Sequence, residues 1–195
     1  MRRAGGVRLA LALLATTAAS GTAQGGSGAP GGAPPDAPDG PDPRRPGGWE
    51  TYGEADFGWR IEPLGGDPVT LERFTGKVLF INLWATWCAP CVRELGSIER
   101  LRGRLADTDV RFLIVAAEVE GPVRRFLRRY RYDLPIYLEK TPVPHAFGLL
   151  GLPTSWLVDR EGRIALIRHG EAVWDTDEVE AFVRALAGAR DIGVP

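Results

Sequence analysis

Residues 78–85, Val-Leu-Phe-Ile-Asn-Leu-Trp-Ala, form an apolar run with one polar member, Asn82, and the chain's two cysteines, Cys88 and Cys91, follow directly behind it. A run without alternation is expected of a strand buried on both faces, at the centre of a sheet. Beyond the cysteines, Val92, Leu95, Ile98, Leu101 and Leu105 recur at helical spacing, so an amphipathic helix should begin at about Cys88. Both sulfurs therefore belong to a strand-to-helix junction.

The remaining pattern fits around that junction. Residues 110–119 read as a second buried strand, and Pro122 as the opening of a helix whose apolar face is Val123, Phe126, Leu127 and Tyr130. Residues 134–138 are short and extended, and 145–149 suggest a helical turn. Residues 155–159 and 164–169 read as a strand pair around the turn Asp159-Arg160-Glu161-Gly162. Asp175 or Thr176 can cap a last helix that buries Val179, Phe182, Val183 and Leu186. Strands alternate with helices, then a hairpin and a helix close the domain: an α/β fold, with a mixed central β-sheet flanked by helices.

The ends differ from this middle. Arg2, Arg3 and Arg8 precede an apolar run, 9–15, and small residues, which reads as a signal peptide over 1–23, or an N-terminal anchor. The run is shorter than the about 20 residues a membrane span needs. No cysteine follows it, so no lipoprotein-type anchor is expected. Residues 24–55 are mostly Gly, Pro, Ala and Asp and cannot offset their ordering entropy by burial, so they read as a disordered linker or tether. The folded domain is expected over 56–190, with a tail at 191–195. The net charge of −1 offers no basic field for nucleic acid.

A disulfide that staples a fold gains from closing a long loop. One between Cys88 and Cys91 would close almost none, which favours redox exchange over stapling. At a helix N-terminus, free N–H groups and the helix dipole favour a thiolate at Cys88, the nucleophile of thiol–disulfide exchange. Cys91, one turn deeper, would resolve the mixed disulfide. Pro90 is tolerated because first-turn N–H groups lack intrahelical partners. Metal binding is the other reading of such a pair, but zinc wants about four ligands and only His145 and His169 remain, without finger spacing. No metal or cofactor is expected.

The segment Trp84-Ala85-Thr86-Trp87-Cys88-Ala89-Pro90-Cys91, with Asn82 ahead of it and Gly151-Leu152-Pro153-Thr154-Ser155-Trp156-Leu157-Val158-Asp159 downstream, resembles exported thioredoxin-like proteins of the TlpA and ResA type, bacterial thiol–disulfide interchange proteins. The resemblance runs from about residue 68 to 187 and implies a thioredoxin-like fold. It implies that Pro153 is a cis-proline beside Cys88, and that the backbone of Leu152 pairs with an extended substrate segment. It implies disulfide-containing protein substrates, a periplasmic or equivalent location, and a membrane electron donor. Cytochrome c maturation is the first pathway it suggests and cytochrome oxidase assembly the second. Ala89-Pro90 resembles the dipeptides of reductants more than those of strong oxidants.

Asn82 stands where cytosolic thioredoxins carry a buried Asp, and an amide cannot exchange a proton at physiological pH. Glu94, three residues after Cys91 and on its face, matches an acidic residue of ResA-like proteins; the alternative is a solvated helix carboxylate. Trp87 is expected either to contact substrate beside the sulfur or to pack in the core, and Trp156 and Trp174 are read as structural. Two other functions compete. A peroxiredoxin-like peroxidase wants Pro seven residues and Thr or Ser three residues before the reactive cysteine, where this chain has Ile81 and Ala85. A copper-binding assembly factor usually spaces its cysteines wider and adds a distal His, and Met1 is the only methionine here.

Overall fold

The computed structural model describes residues 52–188. The signal or anchor over 1–23, the linker up to residue 51, and residues 189–195 lie outside the described residues.

Seven strands form one mixed sheet: β1 Arg60–Pro63, β2 Val69–Thr70, β3 Val78–Trp84, β4 Val110–Ala116, β5 Ile136–Glu139, β6 Thr154–Val158 and β7 Ile164–His169, in the order β2-β1-β5-β4-β3-β6-β7. As the apolar run requires, β3 is buried along its whole length. It pairs in parallel with β4 and antiparallel with β6. Three helices, α1 Ala89–Arg104, α2 Glu120–Tyr130 and α3 Asp177–Gly188, pack on one face of the sheet. There Val78, Phe80 and Trp84 of β3 meet Leu95, Ile98 and Leu101 of α1, Val123 of α2, and Phe182, Val183 and Leu186 of α3. The alternate residues Leu79, Ile81 and Leu83 face a second core with Trp59, Leu71, Phe147 and Trp156, closed by short 3-10 turns at Leu71–Phe74 and His145–Phe147. The period-two alternation of one central strand thus serves two cores.

Several boundaries differ from the sequence reading, each for a local reason. Residue 119 was the expected end of β4, but the strand stops at Ala116, because the Ala117 N–H bonds back to the Trp84 carbonyl and the chain turns. Helix α2 opens at Glu120, not Pro122, and leaves Tyr130 exposed. Tyr52 and Ala55, assigned by composition to the linker, donate backbone hydrogen bonds to Ile164 and Gly162 of the β6–β7 hairpin. Thr176 is the cap of α3: its hydroxyl accepts from the Val179 N–H at 3.3 Å.

Candidate redox site

Parallel pairing of β3 with β4 and antiparallel pairing with β6 bring three loops to one end of the sheet. They are the turn 85–88 after β3, the turn 117–119 after β4, and residues 151–153 before β6, where Thr154 lies opposite Leu83. Cys88 and Cys91 are joined as a disulfide with their Cα atoms 5.3 Å apart. Cys88 is the N-cap of α1, and its Sγ accepts the Cys91 backbone N–H at 3.3 Å. A sulfur in this place meets the helix dipole and a donor that has no intrahelical partner. Cys91 is fully buried, while Cys88 keeps a small exposed edge of 6%.

The turn before Cys88 is clamped from outside. Glu118 accepts from the Thr86 N–H at 2.5 Å and from the Thr86 hydroxyl at 3.1 Å. Trp87 projects into solvent with 71% exposure and so does not pack in the core. The Leu152–Pro153 bond is cis, and Pro153 is buried with its carbonyl accepting from the Gly170 N–H. Among the described residues, the Leu152 backbone makes no hydrogen bond. His169 ends β7, with its Nδ1 3.1 Å from the Thr154 hydroxyl, which itself donates to the Gly151 carbonyl.

Glu94 is not a solvated helix carboxylate: it is only 2% exposed. Its Oε1 accepts from Asn82 Nδ2 at 2.7 Å, and its Oε2 accepts from the Ala172 N–H and from Trp174 Nε1, both at 3.1 Å. Asn82 Nδ2 also donates to Ser155 Oγ across the β3–β6 pair at 2.8 Å, and Asn82 Oδ1 has no partner among the described residues. Burial pushes the Glu94 carboxyl above the ordinary carboxylate range, against the pull of the Trp174, Asn82 and Ala172 donors. Trp174, read from sequence as structural, thus also touches the buried acid. Nothing in its local sequence signalled this, because the contact spans 80 residues. A surface groove of about 780 Å³ lies between β7, residues 171–174 and α3, over Leu157, Leu166 and Phe182.

A cis-proline loop and an N-capping cysteine thus share one end of a mixed sheet. The redoxin family profile matches residues 57–186, nearly the whole described domain. The chain belongs to the redoxin family. This redoxin is 36% identical over 120 residues to the thiol-disulfide oxidoreductase ResA of Halalkalibacterium halodurans, a match covering 60% of this chain and 68% of that one. It is 28% identical over 137 residues to the thioredoxin-like protein YneN of Bacillus subtilis, covering 63% and 79%. Its fold matches the thioredoxin domain of a thiol-disulfide oxidoreductase from Bacteroides vulgatus with a TM-score of 0.60 at 19% identity, covering 72% of this chain and 99% of that one. The α/β reading stands as a thioredoxin-like fold, and the enzyme class is thiol–disulfide oxidoreductase.

Proposed function

We propose that this redoxin is an exported disulfide reductase in which Cys88 attacks protein disulfides and Cys91 completes the exchange. The observation that carries the reading is the Cys88 sulfur at the N-cap of α1, held by the Cys91 N–H, with Cys91 buried behind it. In the reduced protein the same N–H and the dipole favour the Cys88 thiolate. It attacks one sulfur of a substrate disulfide and releases the other as a thiolate. The Cys91 thiolate then attacks Cys88 Sγ, frees the second substrate thiol, and leaves the Cys88–Cys91 disulfide. One electron pair passes to the substrate per cycle, so a membrane electron donor must return it. The unpaired Leu152 backbone ahead of Pro153 suits an extended substrate segment, and exposed Trp87 suits its flank.

Glu94 acts as the acid that manages protons as the disulfide opens and closes. A carboxylate near a thiolate raises the thiol's pKa, and the two titrate as a coupled system. When Glu94 is protonated, a rotated Asn82 amide offers its unpartnered Oδ1 to the new O–H. Ala89-Pro90 and the kinship with ResA favour a reductant, with cytochrome c maturation as the first pathway and cytochrome oxidase assembly as the second.

Two experiments test the proposal. Cys91→Ser should accumulate mixed disulfides with substrate proteins and Cys88→Ser should not; trapping by Cys88→Ser alone would reverse the roles. A reporter active only outside the cytoplasm, fused after Pro195, should work; a fusion active only in the cytoplasm would refute export.

A further inference from the structure

A segment distant in sequence from both cysteines is sewn along α1. From its start, Arg93 donates to both carboxylate oxygens of Glu171, Glu94 accepts from Ala172 and Trp174, the Ser97 hydroxyl accepts from the Trp174 N–H, and Arg100 meets Asp175. The outer links are exposed ion pairs, which contribute little to stability. Two of the inner ones are buried and end on Trp174, which is 3% exposed and whose indole lies edge-on to Phe80 with ring centres 4.9 Å apart. Packing alone would be met by phenylalanine. What tryptophan adds is a single N–H, and that N–H is aimed at Glu94 Oε2.

We propose that Trp174 is a positioning residue of the redox site, whose indole N–H fixes the orientation and charge of Glu94 and thereby tunes the Cys88–Cys91 couple. This inference rests on the role given to Glu94 above. A tryptophan N–H can donate but never accept, so it favours the ionised carboxylate over the neutral acid. The other groups that face Glu94 are few. Cys91 lies three residues before it on its own helix, β3 presents Asn82, and β6 presents Ser155 behind Asn82. The 171–174 segment presents the Ala172 N–H, and Glu171, whose negative charge opposes ionisation of Glu94 and is offset by its pairing with Arg93.

Trp174→Phe keeps the ring against Phe80 and deletes the donor. Incorporation of benzothienylalanine at position 174, which replaces the indole N–H with sulfur and keeps the bicyclic shape, covers the case in which the phenylalanine variant packs poorly. Cys88 alkylation rate against pH is measured on the reduced full chain, in the wild-type and Glu94→Gln backgrounds. Glu94→Gln alone should abolish the carboxyl-linked inflection. Either Trp174 replacement should move that inflection upward by about one pH unit in the wild-type background and change nothing further in the Glu94→Gln background. An unmoved inflection in both replacements, with Glu94→Gln still abolishing it, overturns the role of Trp174 and leaves that of Glu94 standing. An equal shift in both backgrounds overturns it too, because Trp174 would then act by another route. Loss of no inflection on Glu94→Gln overturns the Glu94 reading and this inference together.

Discussion

Glu94 is a carboxyl group placed where water cannot reach it, and the cost of that placement is measurable. Burial raises its pKa in the folded protein, whereas in the unfolded chain it ionises at its ordinary value. Between those two values the native state holds a proton that the unfolded state has lost. The stability this group contributes is therefore fully present below the unfolded value and lost as pH rises through the folded one. Wild type should lose stability with rising pH across this window relative to Glu94→Gln, in denaturant titrations at a series of pH values. Parallel stability curves would contradict the assignment. The position of Glu94 on the Cys91 face was legible from a three-residue spacing. Its burial was not, because the groups that bury it come from two distant stretches of chain, Asn82 from β3 and Ala172 and Trp174 from the segment after β7.

At the scale of elements, the redox turn depends on where strands stop. β3 ends at Trp84 and β4 at Ala116; the Ala117 N–H closes on the Trp84 carbonyl, and Glu118 then turns inward to hold Thr86. Both of its oxygens are used, so Glu118→Ala leaves the Thr86 N–H and hydroxyl without their carboxylate. Loss of hydrogen bonds to a charged group at this half-buried site should cost about 1–3 kcal/mol, read as a lower denaturation midpoint with unchanged slope. A midpoint equal to wild type would show that the clamp is solvated. The sequence announced β3 and α1 clearly, since their periodicities extend over many residues. It gave no sign of β1 and β2, which span four and two residues and carry no sustained alternation. It overran β4 because Ala117 and Val119 continue the apolar pattern, although the ladder has already ended. The last apolar residue of that run, Val119, is exposed, and the strand ends where its pairing ends, at Ala116.

At the scale of the molecule, the sheet is the device that assembles the site. One central strand aims Cys88 from its C-terminal end, receives Pro153 from its antiparallel neighbour, and supplies Asn82 to the acid beneath. The helices gather on one face, and the second core around Trp59, Phe147 and Trp156 stiffens the other, with ring centres 5.3–6.3 Å apart. The fold was legible because strand and helix periods alternate in order, and the sulfur pair because its spacing suits exchange and not stapling. The segment 171–174 was not, since its part in the site exists only once β7 has returned the chain to α1. In the function proposed above, Cys88 and Cys91 form an exchangeable couple that donates electrons. Equilibration of the full chain with glutathione or thioredoxin buffers, read by the fraction of Cys88–Cys91 disulfide, measures its reduction potential. The expected value is reducing, near the about −270 mV of thioredoxins. A value near the about −120 mV of strong oxidants would contradict it.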